Sequence, residues 1–242
     1  MSYLQYAADV QSVIARVLET ETAKIEAAAA AIADSIIEHD IFHVIGTGGH
    51  GSMVAEELLW RGGGLAAVNA ILEPSINLIH GAGHSGIFDQ LPCYAQAILD
   101  TNHVKTGELL IIVNSSGINP LTISLVKACK ERGIKTVALT SRFGDSLTPK
   151  SESLYQLADI YINNHMPFGD SMTQVEGLSG TVGPVSSILN LLIANMLVVA
   201  SVEEMIKRGF EPPVWKYDSC PGGLEYNEKL FEKYSRKIKN LR

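Results

Sequence analysis

The sequence predicts a doubly wound α/β fold, with a five-stranded parallel sheet of order 2-1-3-4-5 and helices on both of its faces. Short runs rich in Ile, Val and Leu alternate with helical segments, as expected for strands that are buried on both sides. Two loops of glycine and small polar residues, at 46–52 and 114–119, each follow such a strand and open a helix. An amphipathic N-terminal arm precedes the sheet.

The elements follow from periodicity and capping signals. Apolar residues recur at the helical period from Tyr6 to His39, which predicts one helix or a helix pair. Strands are predicted at 41–45, 65–72, 109–113, 135–140 and 160–163, and helices at 52–60, 92–99, 120–131 and 185–208. Asn119 is the predicted N-cap of the third of these helices, with Pro120 at its first position. Residues 73–90, with several glycines, are predicted to form a mobile loop.

The length of 242 residues fits one large domain or two small ones. We expect a single domain over 1–242. It consists of an N-terminal helical arm at 1–39, an α/β core at 40–209 and a C-terminal packing tail at 210–242. The amphipathic arm and the very apolar helix at 185–208 offer more apolar surface than one sheet face needs. A homodimer or homotetramer is therefore expected.

Composition limits the classes of partner. A net charge of −7 without a run of Lys and Arg argues against nucleic acid or an anionic membrane as the main partner. Three scattered cysteines fit neither a disulfide framework nor a thiolate zinc site, so a cytoplasmic protein is expected. The apolar stretch from Val185 to Val202 is interrupted by Ser and Asn, which indicates a buried core helix rather than a membrane span.

The two polar loops predict the binding site. In a sheet of order 2-1-3-4-5, a crevice opens between the first and third strands, and both loops leave those strands at the same edge. Glycines allow a ligand to come close, while free N–H groups at a helix start attract an anion. The sequence therefore predicts a phosphorylated small molecule in this crevice.

Other interpretations of these loops remain open. Gly46, Gly48 and Gly51 fit the dinucleotide spacing G-x-G-x-x-G, and Glu73 lies where a ribose-binding carboxylate would be needed. No Walker sequence occurs. The Ser116-Gly117 pair also suits a simple turn before a capped helix.

The sequence resembles the sugar isomerase (SIS) domain family, and within it the phosphoheptose isomerases and small uncharacterised members. The resemblance runs from about Ala28 to Gly209 and is most specific at three motifs: Gly46-Thr47-Gly48-Gly49, Ala55-Glu56-Glu57-Leu58 and Asn114-Ser115-Ser116-Gly117. It implies that phosphate is held by hydroxyl, amide and N–H groups of the two loops. The matching residues are Gly48, Ser52, Asn114, Ser115, Ser116, Gly117 and Asn119.

The resemblance also implies an aldose-ketose isomerisation of a sugar phosphate without an organic cofactor, and no residue is assigned as a metal ligand. Such a reaction needs a base beside a carbonyl, and the Ala-Glu-Glu-Leu motif assigns this role to Glu57. The family has a histidine in its last long helix, where this chain has Asn195. His165, after the fifth strand, is the substitute candidate for proton transfer. Read without the resemblance, Glu57 is a solvated helix residue.

Three further features leave alternatives open. Glu73 matches the loop carboxylate of SIS-type lyases that act on sugar acid ethers, so a lyase is an alternative to an isomerase. His80 and His84 have helical spacing for a metal, which the neighbouring glycines disfavour. Ser141, at the end of the fourth strand, either lines the sugar pocket or forms a polar turn. A non-catalytic phosphosugar sensor is the alternative of another class.

Overall fold

A computed structural model describes residues 1–142 and 152–241 of the chain. Its five-stranded sheet has the order β2-β1-β3-β4-β5, and all four pairings are parallel. The predicted fold class and strand order are confirmed. The predicted domain also includes residues 143–151 and Arg242, which lie outside the described residues.

The strands are β1 (Phe42–Gly46), β2 (Val68–Ile71), β3 (Leu109–Val113), β4 (Lys135–Thr140), β5 (Ile160–Asn163), β6 (Ser171–Gln174) and β7 (Thr181–Pro184). The helices are α1 (Ser2–Thr20), α2 (Thr22–His39), α3 (Ser52–Leu58), α4 (Ala82–Phe88), α5 (Tyr94–Thr101), α6 (Pro120–Glu131), α7 (Leu154–Leu157), α8 (Ser186–Lys207) and α9 (Gly223–Tyr234). A short 3₁₀ turn covers Lys239–Leu241.

The sheet is buried on both faces because successive side chains of each strand point to opposite sides. In β3, Leu109 and Ile111 pack in one apolar cluster with α2, α3 and α8. Leu110 and Ile112 pack in a second cluster with α5 and α6. This alternation explains why the strands read as continuous apolar runs in the sequence.

Helix α8 is long and apolar enough to cross a membrane by length and composition alone. In this fold it packs against α2 and α3, and Leu189, Ile193 and Leu197 are buried. Its packing agrees with the predicted core helix. The cytoplasmic location stays a prediction.

Two predicted segments differ from the structure. The predicted loop at 73–90 contains helix α4. Ser85 Oγ on this helix donates to the carbonyl of Ile76 at 2.9 Å, and this bond stabilises the glycine-rich segment. The predicted second strand starts too early, at Leu65 instead of Val68. Leu65 instead bridges Val214 of the C-terminal tail, so tertiary contact with the tail decides this boundary.

The N-terminal arm is a helix pair that breaks at Glu21. This buried carboxylate accepts from the N–H of Asn163 at 3.0 Å and from Lys24 Nζ at 2.9 Å. Helix α1 contacts the antiparallel β6–β7 hairpin, an element that the periodicity did not predict. The hairpin lies between β5 and α8, and its end places Pro184 beside the loops of the sheet edge.

Candidate functional site

The two polar loops meet at the carboxyl edge of the sheet. The N–H of Thr47 donates to the carbonyl of Val113 at 2.9 Å, which extends the β1–β3 ladder into the loops. A Cβ added to Gly46 would lie 1.8 Å from the backbone of Gly51, and one added to Gly51 would lie 2.4 Å from the carbonyl of Thr47. Glycine is needed at both positions because the loop folds back on itself.

Asn114 joins the two loops through its side-chain amide. Its Nδ2 donates to Thr47 Oγ1 at 2.9 Å and to Thr122 Oγ1 at 3.1 Å. Its Oδ1 accepts from the N–H of Gly117 at 2.7 Å and from Ser116 Oγ at 2.9 Å. The amide is buried and its hydrogen-bonding capacity is used within the protein. Asn114 therefore joins the two loops, and its role as a phosphate ligand stays a prediction.

A cavity of about 320 Å³ lies between these loops, the segment after β5 and the start of α8. Five of the predicted binding residues line it: Gly48, Asn114, Ser115, Ser116 and Asn119. The other lining residues are Thr47, His50, Gly51, Met166, Asp170, Pro184, Ser186, Ser187 and Asn190. The lining contains hydroxyls and amides, and its titratable side chains are those of His50 and Asp170.

The loop after β3 presents hydrogen-bond donors to the cavity. Ser115 Oγ accepts from Asn190 Nδ2 at 3.0 Å, and no acceptor for its own hydrogen occurs among residues 1–142 and 152–241. Within the same ranges the N–H groups of Ser115 and Ser116 have no acceptor. These groups stand just before α6, whose dipole favours a negative charge. The arrangement suits an anion.

Asn119 is the N-cap of α6, as predicted, although its side chain does not cap the helix. Its Oδ1 instead lies 2.9 Å from Ser116 Oγ, whose single hydrogen is shared between Asn119 and Asn114. The N–H of Leu121 in the first turn donates to the carbonyl of Asp89 at 3.1 Å. The amide of Asn119 consequently belongs to the cavity wall.

The start of α8 already holds an anion from the chain itself. Asp170 Oδ1 accepts from the N–H of Ser186 at 2.8 Å and of Val185 at 3.2 Å, and Oδ2 accepts from Ser186 Oγ at 2.8 Å. These bonds fix the carboxylate at one wall of the cavity. A second anion is therefore favoured at the β3 loop and disfavoured near α8.

Gly48, a predicted phosphate donor, is already hydrogen-bonded. Its N–H donates to Asp89 Oδ1 at 3.1 Å. Burial raises the pKa of the Asp89 carboxyl, although the bond from Gly48 acts in the opposite direction. The N–H of Gly48 therefore already has a carboxylate partner within the chain.

Three other predicted binding residues lie behind the cavity wall. Ser52 Oγ donates to the carbonyl of Gly49 at 3.0 Å, and the N–H of Gly117 is bound to Asn114. Ser141 Oγ donates to the carbonyl of Ser115 at 2.5 Å. None of the three lines the cavity in the described part of the chain. Each supports a loop that does.

The proposed base Glu57 lies outside the cavity lining. Its Oε1 accepts from Asn195 Nδ2 at 3.1 Å, and its Oε2 accepts from Arg61 Nη1 at 2.9 Å. Helices α3 and α8 therefore bring together the Glu motif and the position where the family has its histidine. The partly exposed carboxylate is ordered by these contacts.

His165 faces the helical arm. Its Nε2 is 2.8 Å from Thr20 Oγ1 and 3.3 Å from Glu21 Oε1, and its Nδ1 is 3.3 Å from Asn163 Nδ2. Burial, together with the charge of Arg16, lowers the pKa of the imidazole despite the carboxylate of Glu21. Met166, the next residue, lines the cavity in its place.

Glu73 hydrogen-bonds the N–H of Ser75 at 3.4 Å and contacts the Tyr94 hydroxyl. Burial and this carboxylate raise the pKa of Tyr94 to about 12. Glu73 also lies outside the lining. The ring centroids of His80, in the turn before α4, and of His84, on α4, are 5.5 Å apart. Within residues 1–142 and 152–241, no group of three or more His, Cys, Asp or Glu could hold a metal.

Sequence reasoning missed several lining residues. Asn190, a buried residue of α8, links Asn164 to Ser115 at the cavity wall. Asp170 and the serines at the start of α8 reach the site only because the β6–β7 hairpin turns the chain back. A carboxylate 16 residues before a helix start has no local sequence signal.

The sheet order and the polar cavity define the class of protein: a doubly wound α/β protein whose loops form a site suited to an anion at the carboxyl edge of the sheet. The chain matches the SIS domain over residues 5–141. It is 36% identical, over 98% of both chains, to a UPF0309 protein of Caldanaerobacter subterraneus. The chain belongs to the SIS domain family.

Two solved structures share this fold. Phosphoheptose isomerase GmhA from Neisseria gonorrhoeae aligns with a TM-score of 0.56 at 16% identity, over 83% of this chain and 97% of that one. The sugar isomerase domain of an RpiR transcription factor from Sphaerobacter thermophilus aligns with a TM-score of 0.50 at 18% identity, over 96% of this chain and 97% of that one.

Proposed function

We propose that this chain binds a phosphorylated sugar in the cavity, with the phosphate on the loop after β3. The N–H groups of Ser115 and Ser116 carry this proposal, because they have no acceptor within the described residues and lie beside the Ser115 hydroxyl, just before α6. Neutral donors and a helix dipole hold a dianion without lysine or arginine. This accords with a net charge of −7.

The fixed charge of Asp170 determines the orientation of the ligand in the cavity. Repulsion keeps the phosphate away from α8, so the sugar extends from the β3 loop towards Asp170, His50 and Asn190. Carboxylate, imidazole and amide groups are suitable partners for sugar hydroxyls. A volume of about 320 Å³ is appropriate for a small sugar phosphate. Solved members of the fold, named as a phosphoheptose isomerase and as a sugar isomerase domain, support this ligand class.

The reaction that we propose is aldose-ketose isomerisation with Glu57 as the base that removes a proton beside the carbonyl. Because Glu57 contacts Asn195 outside the lining, this role requires that the predicted oligomer or a ligand-driven movement bring its carboxylate to the sugar. A non-catalytic phosphosugar sensor is the second candidate. The position of Glu57, His165 and Glu73 outside the lining favours it.

Binding is tested by thermal shift with a panel of sugar phosphates and the matching unphosphorylated sugars. A ligand at a hundred times its Kd adds about 2.7 kcal/mol of apparent stability. We expect stabilisation only by phosphorylated sugars, weakened by Ser115→Ala and retained in Ser219→Ala, a control at an exposed tail position. Equal shifts for sugars with and without phosphate would refute the phosphate site.

Turnover is tested separately with the ligand that binds best. For an isomerase, Glu57→Gln abolishes interconversion while affinity persists, and Glu56→Gln, an exposed neighbour on the same helix, leaves both unchanged. A sensor binds the ligand and interconverts nothing in any of the three proteins. The two candidates therefore give different results with the unmodified chain.

A further inference from the structure

Both tryptophans of the chain line one cavity remote from the loop site. The sequence contains two Trp residues, Trp60 and Trp215, and both border a cavity of about 380 Å³ against α9. This cavity shares no lining residue with the one between the loops. It is therefore a separate site, and the inference drawn from it does not depend on the proposed function.

Aromatic rings form the walls of this tryptophan cavity. Trp60 follows α3 with a left-handed backbone, φ 42°, and 60% of its surface is exposed. Its ring centroid lies 6.1 Å from that of Phe231 on α9, with the planes tilted by 50°. Trp215 is buried and forms the inner wall. Large aromatic surfaces are seldom left open to solvent without a partner.

Helix α9 supplies the opposite face. Leu224, Asn227, Glu228, Phe231 and Glu232 have the three- and four-residue spacing of one helix side, and all of them line the cavity. The apolar members lie in the centre of this face. Polar residues lie on both sides of them: Asn227 on one side, and Glu228 and Glu232 on the other. Apolar and acidic side chains of α9 therefore line the same cavity.

The charges of the lining all have one sign. Asp218, Glu228 and Glu232 contribute carboxylates, and the lining includes no Lys, Arg or His. Glu228 and Glu232 pair with no cation among residues 1–142 and 152–241, whereas Asp218 accepts from Asn227 Nδ2 at 2.7 Å. The lining therefore combines carboxylates with electron-rich ring faces, and both favour a cation.

Two basic side chains near the tryptophan cavity have partners elsewhere. Arg61 and Lys216 line an adjoining cavity of about 400 Å³ that also includes Trp60 and Trp215. Arg61 donates to Glu57 at 2.9 Å, and Lys216 Nζ lies 4.0 Å from the ring centroid of Tyr226. Neither neutralises Glu228 or Glu232.

We propose that the tryptophan cavity binds a small organic cation, an ammonium group carried on an aryl or alkyl body. The apolar body packs against Trp60, Phe231 and Leu224. The ammonium group lies over the rings and beside Glu228 and Glu232. Cation–π contact and charge attraction each supply part of the affinity, and the volume fits a ligand of this size.

Intrinsic fluorescence tests the proposal, because every tryptophan of the chain lines this cavity. The probes are phenethylammonium, 2-phenylethanol and phenylacetate, which share one apolar body and carry a positive, no and a negative charge. We expect the cation to bind roughly tenfold more tightly than the alcohol, and the anion to bind most weakly. The variant Trp60→Phe keeps an aromatic wall, and most of the fluorescence change on binding should be lost.

The double variant Glu228→Gln/Glu232→Gln should reduce the preference for the cation to about twofold or less. Glu225→Gln, on the same helix and outside the lining, should leave the preference intact. Three results would each overturn the proposal: equal affinities for the three probes, no fluorescence response to any of them, or protection of Trp60 from acrylamide in the unliganded protein. The last would mean that another part of an assembly covers the cavity.

Discussion

Asn114 donates a hydrogen bond to Thr47 across 67 positions of sequence, with an Nδ2–Oγ1 distance of 2.9 Å. This bond connects the loop after β1 with the loop after β3, and the same amide also fixes Ser116 and Gly117. Two loops that are distant in sequence are thus joined by one buried side chain, beside the backbone bond from Thr47 to Val113.

Asn114→Ala should lower the free energy of unfolding by about 2 kcal/mol or more, because it leaves buried polar groups without their partners. The N–H of Gly117 loses its acceptor, and Thr47 Oγ1 loses a donor. Denaturant unfolding measures the change. Ser115→Ala, which removes a half-buried hydroxyl at the cavity surface, should cost less than Asn114→Ala, and the reverse order would contradict the structural role of Asn114.

Gly51→Ala should destabilise the fold strongly, because the new Cβ would lie 2.4 Å from the carbonyl of Thr47 and 2.8 Å from that of Val113. Gly83→Ala is the matched control. It lies inside α4, and an added Cβ would meet nothing within 4 Å. Because alanine favours a helix over glycine, the control should gain about 0.5–1 kcal/mol. Thermal melts of the two variants should shift in opposite directions.

Asp89→Asn should stabilise the protein more at pH 7 than at pH 4. Burial raises the pKa of this carboxyl in the folded state, so its favourable contribution is present below the unfolded pKa of about 3.8. That contribution is lost as the pH rises through the folded pKa. The asparagine keeps an acceptor for Gly48 and carries no charge. Urea titrations of both proteins across this pH range measure the difference, and a pH-independent difference would contradict the prediction.

Removing the charge of Asp89 should also strengthen the binding of a phosphorylated ligand, since this carboxylate is bound to Gly48, a residue of the cavity lining, and repels a second anion. Calorimetric titration of Asp89→Asn with the best sugar phosphate checks this expectation. Asp100→Asn, at an exposed position of α5, serves as the control for a general change in net charge. An equal gain in both variants would assign the effect to net charge alone.

His165 should make the fold sensitive to mild acid. Its folded pKa is lowered by burial and by Arg16, so it contributes stability above the unfolded value of about 6.5. This stability is lost as the pH falls through the folded pKa. In His165→Gln the decline in stability between pH 7.5 and pH 5 should be smaller than in the unmodified protein. NMR titration of the imidazole gives the pKa directly, and a value above 6.5 would exclude this explanation.

The fold class could be predicted because it depends on local patterns. Runs such as Leu109–Val113 are apolar throughout, and the Asn119-Pro120 pair marks the start of α6 in one short stretch of sequence. Strand order then places the loops after β1 and β3 at one edge, whatever their detailed contacts. The same local reasoning failed at α4, where contacts of Ser85 outweigh the low helix propensity of its glycines.

By itself, the sequence determined the parallel sheet, its order and the pair of polar loops that the site uses, because burial and capping are properties of neighbouring residues. Only the tertiary structure decided which groups face the cavity. Asp170 and Asn190 reach it through a hairpin and a helix start, while Glu57 is turned towards Asn195 on α8. Such placements depend on contacts between segments that are far apart in the sequence. These contacts produce no local sequence pattern from which they could be predicted.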